Sequence, residues 1–241
     1  MNIIKLVFLL LLSIHYSQVA YADNTKIGYS KKMINYSIIF GFDPLYGNVK
    51  DTLQVLKDES GKTIKYVKAS FDDKGCINSI ISLDGLNSIS FSFERDGKDI
   101  YAGINSKKLK VYDIDNNCNI IKSVSKGSEF LYKNNLIYSM TYDGDNLTTI
   151  HYDKNEIPIE IKIKTLDENT TEKMSYTFKN KEMVNSSFES INNITKSTKL
   201  VADINCRIFD DKNNPLKCDY DIPQENGTII KNKLIYKNTY Y

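Results

Sequence analysis

Apolar and polar side chains alternate with a period of two along much of the chain. Ile157-Pro158-Ile159-Glu160-Ile161-Lys162-Ile163-Lys164 keeps the alternation once past Pro158, and Ser88-Ile89-Ser90-Phe91-Ser92-Phe93 repeats it. Successive side chains of an extended strand point to opposite faces. Such a run therefore predicts an antiparallel strand that is dry on one face and wet on the other. Runs rich in β-branched and aromatic residues predict further strands over Val49 to Lys57, Thr63 to Phe71, Cys76 to Leu83, Lys108 to Ile114, Asn135 to Tyr142 and Thr228 to Tyr236. Turn signals separate them at Ser60-Gly61, Lys74-Gly75, Asp84-Gly85, Asp96-Gly97 and Asp143-Gly144. Connections this short cannot be parallel crossovers, which need a dozen or more residues. The expected fold is all-β: an antiparallel meander of many short hairpins forming a curved sheet, a sandwich or a partly closed barrel. No helix is expected after the N-terminal segment, and Leu166 to Lys173 reads as a polar excursion between strands.

One hairpin phrase recurs. Phe71-Asp72-Asp73-Lys74-Gly75-Cys76, Tyr152-Asp153-Lys154-Asn155 and Phe209-Asp210-Asp211-Lys212-Asn213 each set an aromatic residue and Asp before a polar tip. The third lies in Cys206 to Cys218. Pairing these two cysteines across the hairpin puts Ile208 opposite Leu216 on the cysteine face and Phe209 opposite Pro215 on the other.

Residues 1–22 are set apart. Lys5 precedes the apolar run Leu6 to Ile14, and Ala20-Tyr21-Ala22 is the small-x-small pattern of a cleavage site. This predicts a signal peptide over 1–22 and one mature all-β domain over 23–241, since no linker rich in Pro or Gly divides the rest. An exported chain with four cysteines, Cys76, Cys118, Cys206 and Cys218, is expected to carry two disulfides. Cys206–Cys218 is expected from the hairpin, which leaves Cys76–Cys118. A zinc site is the rival, but there is no CxxC pair and the mature chain has one histidine.

Composition narrows function mainly by exclusion. The formal net charge is +2, with no Arg cluster, so no nucleic-acid partner is expected. His151 could serve as a general base, but a lone strand histidine is more often a surface residue. Asp72 with Asp73 and Asp210 with Asp211 are paired carboxylates at hairpin tips, where Asp caps turns. Asp143-Gly144-Asp145-Asn146 and Asp113-Ile114-Asp115-Asn116-Asn117 resemble the start of a calcium loop but lack its Gly and Glu positions. There is no nucleophile elbow and no phosphate-binding glycine loop. No catalytic, cofactor or metal residues are assigned.

Phe42-Asp43-Pro44-Leu45-Tyr46-Gly47-Asn48-Val49-Lys50-Asp51 resembles the signature of the YnfC family of bacterial envelope lipoproteins. Asp58 to Gly61, Gly75-Cys76, Cys206, Asn214 to Cys218 and the closing Lys237 to Tyr241 match in order. The match is good over residues 40–83 and 205–241. The resemblance implies a location in the periplasm or cell envelope of a Gram-negative bacterium and an unassigned function. Family members carry a lipobox cysteine at the end of the leader. Here the first cysteine is Cys76, which speaks against lipid attachment and membrane association. The expectation is a non-catalytic binding or structural module with an envelope protein or lipid-like ligand as partner. A hydrolase of envelope polymers and a secreted effector or immunity-like protein are the alternatives.

Overall fold

A computed structural model describes residues 28–85, 89–104, 107–124, 127–142, 145–164, 169–224 and 226–241. The leader over 1–22 and the Asp143-Gly144 turn signal lie outside them. The alternating runs form sixteen antiparallel strands closed into one barrel. They are β1 (Val49–Lys57), β2 (Thr63–Phe71), β3 (Ile77–Asp84), β4 (Ile89–Asp96), β5 (Asp99–Ile104), β6 (Lys107–Ile114), β7 (Ile120–Ser123) and β8 (Ser128–Lys133). The second half comprises β9 (Leu136–Tyr142), β10 (Asp145–Tyr152), β11 (Pro158–Lys164), β12 (Asn169–Lys179), β13 (Glu182–Asn192), β14 (Thr198–Phe209), β15 (Pro215–Pro223) and β16 (Ile229–Tyr240). Each strand pairs with its sequence neighbours, and β1 closes on β16 with Val55 opposite Ile235. The meander is thus fully closed, beyond the partly closed barrel expected, and it has no free sheet edge at its ends.

Three expectations need correction. The supposed polar excursion Leu166 to Lys173 enters β12 at Asn169, because Thr170 and Thr171 are both buried against neighbouring strands. In the Cys206–Cys218 hairpin, Ile208 pairs with Lys217 and not with Leu216. A bulge after Cys206 turns Ile208 outward, where it is 51% exposed, and brings Phe209 to the core. The third is a helix, α1 (Lys31–Phe40). Ser30 caps its start by accepting from the Met33 N–H, and Gly41 ends it with φ 67°, its N–H reaching the Ser37 carbonyl. The sequence hid it because Met33, Ile34, Asn35, Tyr36, Ser37 and Phe40 are all buried. A helix buried all round has no polar stripe to set its period.

That burial comes from the barrel itself. Phe40 meets the rings of Phe91, Phe93 and Tyr112 at centroid distances of 6.2, 6.0 and 6.0 Å. Tyr36 donates to the Cys118 carbonyl, and Asn35 donates to the Asn135 carbonyl and accepts from the Ile137 N–H. Lys31 reaches Asn134 and Glu156, and Lys32 reaches the Lys74 carbonyl. These partners lie on opposite walls, so α1 sits inside the mouth formed by the β2–β3, β6–β7, β8–β9 and β10–β11 turns. The chain reverses at Gly41, and Phe42 to Asn48 climb back to the same mouth. There Asn214 accepts from the Tyr46 N–H and donates to the Tyr46 carbonyl. Residues 29–48 therefore form a plug.

Four of the turns that grip the plug share one construction. Asp72, Asp115, Asp153 and Asp210 each accept, through Oδ1, from the N–H groups two and four residues on. The residue three positions on is left-handed: Gly75, Cys118, Glu156 and Asn213. These are β-turns followed by a bulge, stabilised by the aspartate. They close β2–β3, β6–β7, β10–β11 and β14–β15, so the device returns every fourth strand at one end of the barrel. The two disulfides lie at the same end. Cys76–Cys118 straps the β2–β3 turn to the β6–β7 turn, and Cys206–Cys218 joins β14 to β15 with Cα atoms 4.0 Å apart.

The outer face of β15 and β16 is charged. Asp219 lies opposite Lys233 and Asp221 opposite Lys231, where a barrel embedded in lipid would present an apolar band. No helix among the described residues is long and apolar enough to cross a membrane.

Candidate functional site

The inner wall can be read from register. Gln54 faces inward because its amide clasps the plug: its Nε2 donates to the Asp43 carbonyl and its Oε1 accepts from the Asp43 N–H. Gln54 stands opposite Val67, Val67 opposite Ser82, and Ser82 opposite Phe91, so all four share the lumen face. By the same logic Tyr236, Leu234 and Asn232 face inward on β16, and Tyr220 and Ile222 on β15.

Exposure divides this lumen in two. Around the shaft of the plug, Tyr36, Phe71, Ile80 and Ile100 are sealed from solvent. At the tip the picture changes: Gly41 is exposed, and Ile38, Ile39, Asp43 and Pro44 are only half-buried. Wall residues beyond the tip are also reachable. Phe91, Tyr220 and Ile222 are half-buried, Ile230 is 46% exposed and Leu109 is 56% exposed. Leu109 pairs with the inward Ala102, and Ile230 with Ile222. The described residues thus form a cup, with the plug tip as its floor and an apolar wall carrying a few polar groups.

Asp43 is the acidic group of the floor, and the Lys65 ammonium lies beside the plug tip at Gly41. It accepts from the Tyr236 hydroxyl at 2.6 Å. Burial raises its carboxyl above the usual range, and the Tyr236 hydrogen bond and Lys65 oppose that only in part. Burial, then the nearby Asp43 charge, pushes the Tyr236 phenol well above its ordinary value. The Tyr176 phenol is raised by burial, and Asp43 adds to it. The floor is therefore a set of protonated phenols around one carboxyl that resists ionisation.

A second concavity lies in the barrel wall. A notch of about 740 Å³ opens beside the β10–β11 turn, lined among others by His151, Glu160, Lys173, Ser175, Tyr176 and Phe178. It contains the one histidine considered above. His151 Nδ1 lies 3.2 Å from Glu160 Oε1, and Lys162 Nζ lies 3.0 Å from the same oxygen. Sequence reading left His151 without a partner. The partner was findable: counting outward from the Asp153 turn pairs His151 with Glu160 once the bulge after His151 is allowed for.

The serines that line the notch stand away from this pair. Ser175, on β12, is two strand spacings from β10 and two residues along from Lys173, the residue opposite Glu160. That puts it about 12 Å from His151, too far for a hydrogen bond. Ser175 is instead hydrogen-bonded to Ser187 at 2.7 Å.

The paired aspartates do not converge on a common point. Asp72 binds Arg95 at 2.6 Å. Burial would raise its carboxyl, but N–H donors at Cys76 and Lys74 and the Arg95 guanidinium hold it below the usual range. Asp73 is an exposed tip, and Asp210 caps its own turn while Asp211 is paired with Lys212. Of the calcium-like stretches, Asp113 is bonded to Lys110, and Asp115 is spent on its turn. No group of three or more metal-ligating side chains occurs among the described residues.

A model of an uncharacterised protein family, UPF0257, matches residues 5–241. Proteins named UPF0257 lipoprotein YnfC from Escherichia coli strains K12/DH10B and SE11 are each 39% identical over 64 residues, which cover 26% of this chain. The match spans about a quarter, 27%, of the length of these relatives. Among solved structures, a LolA superfamily protein from Nitrosomonas europaea superposes with a TM-score of 0.34 and 7% identity, covering 87% of this chain and 92% of that one. The TcdB2-TccC3-TEV structure gives a TM-score of 0.31 and 7% identity, covering 75% of this chain and 10% of the other.

Proposed function

The chain belongs to the uncharacterised protein family UPF0257, and we propose that it is a non-catalytic binding protein of the cell envelope that receives a lipid-like ligand in its cup. The observation that carries this reading is the solvent access at the plug tip. A plug that filled the barrel would bury its tip, as it buries its shaft. Here the tip and the apolar wall above it stay reachable, and an elongated apolar ligand would remove that surface from water at about 25 cal/mol per Å².

The location is part of the proposal. Lipoprotein-named relatives and two disulfides support export to the envelope. With residues 1–22 as a cleaved leader, the mature domain would run over 23–241. The missing lipobox cysteine favours a periplasmic form without an attached lipid.

Titration with cis-parinaric acid, followed by displacement with palmitate, tests the site. Saturable fluorescence is expected from the intact chain. Leu109→Asp and Ile230→Asp, both on exposed wall positions, should weaken it while leaving the circular dichroism unchanged. Absence of saturable binding, or binding indifferent to both substitutions, would overturn the reading.

The hydrolase alternative has one observation in its favour, the His151–Glu160 pair in a concave notch. The distance to Ser175 and the second salt bridge of Glu160 weigh against it.

A further inference from the structure

The notch beside the β10–β11 turn has a backbone as well as a side-chain character. The β11–β12 ladder ends at Glu160 opposite Lys173. The β12–β13 ladder continues through Met174 opposite Phe188, to Phe178 opposite Met183. Met174 to Phe178 therefore has a strand partner on one side only. On the other side β11 turns away at Pro158, which has no N–H to offer, and the notch of about 740 Å³ occupies the place a partner would take.

We infer that this edge of β12 is a docking site for an extended peptide strand from another protein, added antiparallel or parallel to Met174–Phe178. Five residues of strand span about 17 Å. Main-chain hydrogen bonds supply the affinity, and alternate side chains supply the selectivity. Met174, Tyr176 and Phe178 share one face, where Tyr176 and Phe178 lie with ring centroids 6.3 Å apart. The added strand should be apolar at the positions beside them. Ser175 and Thr177 share the other face and are exposed. The notch holds the carboxylates Asp153, Glu160 and Glu189 against two ammonium groups, Lys173 in its lining and Lys162 bound to Glu160, which leaves one negative charge in excess. The positions facing outward should therefore be basic. The occupant is a segment alternating apolar and basic residues. By register Met174, Tyr176 and Phe178 face the lumen, since Tyr176 stands opposite Ser186 and in line with Ile204 and the inward Tyr220. The edge therefore borders the cup and shares Tyr176 with it, but strand addition does not depend on what the cup binds.

The probe is acetyl-Val-Lys-Val-Lys-Val-amide carrying a fluorophore, with two twins of the same charge. One twin is N-methylated at the valines and the other at the lysines. Strand pairing uses the N–H groups of alternate residues only. One twin should therefore bind the full-length mature protein like the parent peptide, and the other at least tenfold more weakly. Fluorescence anisotropy reads all three without altering the protein. Equal binding of both twins would mean charge attraction or apolar filling alone, and no binding of the parent would mean no edge site. Either result overturns the inference.

Discussion

The Tyr236 hydroxyl donates to the Asp43 carboxylate at 2.6 Å, joining the last strand of the barrel to the returning limb of the plug. Because burial raises the Asp43 pKa, the folded state binds a proton that the unfolded chain releases near pH 4. Between that point and the raised value the native state holds more protons, so stability falls as pH rises. Asp43→Asn keeps an acceptor for Tyr236 and removes the ionisation. Its melting temperature should equal or exceed that of the parent at pH 7, and the gap should shrink towards pH 4. A variant less stable at pH 7 with an unchanged pH profile would show that the carboxylate is not under this strain.

Asn214 is fully buried and serves three partners: the Tyr46 N–H, the Tyr46 carbonyl and the Tyr240 hydroxyl. It ties the Phe42 to Asp51 signature to the C-terminal segment, two pieces far apart in sequence. Asn214→Ala strands the buried Tyr46 amide groups, each costing about 1–3 kcal/mol. A loss of about 2–4 kcal/mol in urea unfolding is expected. Hydrogen exchange should also speed up at Leu45 and Tyr46 before it does in β3. Uniform acceleration across the barrel would mean the plug has no separate stability.

The disulfides make a second test of the mouth. Non-reducing peptide mapping of the purified protein should yield one peptide joining Cys76 to Cys118 and another joining Cys206 to Cys218. In the chain-entropy picture the 42-residue separation of the first bond corresponds to about 4 kcal/mol and the 12-residue separation of the second to about 3 kcal/mol. The double variant Cys76→Ser/Cys118→Ser should therefore melt lower than Cys206→Ser/Cys218→Ser. The reverse order would place the main stabilising strap at the hairpin.

His151→Ala should leave ligand binding and any envelope phenotype intact and change stability by less than about 1 kcal/mol, because the His151 side chain is more than half exposed. Loss of activity with unchanged melting would revive the hydrolase reading.

The all-β class, the hairpin order and the aspartate turns were legible because each rests on short-range rules. A period of two marks a strand whatever surrounds it. An Asp that caps N–H groups two and four residues on needs only its own turn. The bounds of β1 and β2 follow directly from Val49 to Lys57 and Thr63 to Phe71 for that reason. The register of Ile208 did not follow, since a bulge adds a residue that side-chain chemistry alone does not announce.

What the sequence could not contain locally is closure and its consequences. Whether a meander ends as a sheet or a barrel depends on β1 meeting β16, and Val55 and Ile235 are brought together only by the accumulated twist of the strands between them. Once closed, the barrel offers an interior, and that interior permits Lys31 to Phe40 to be a helix without an amphipathic stripe. The Phe42 to Asp51 stretch stood out as a family signature whose residues suggested a turn into the first strand but no tertiary task. The barrel gives it one, as the returning limb of the plug. The cup and the unpaired edge of β12 have the same origin, because both are spaces left between distant elements, and a space has no residue code of its own.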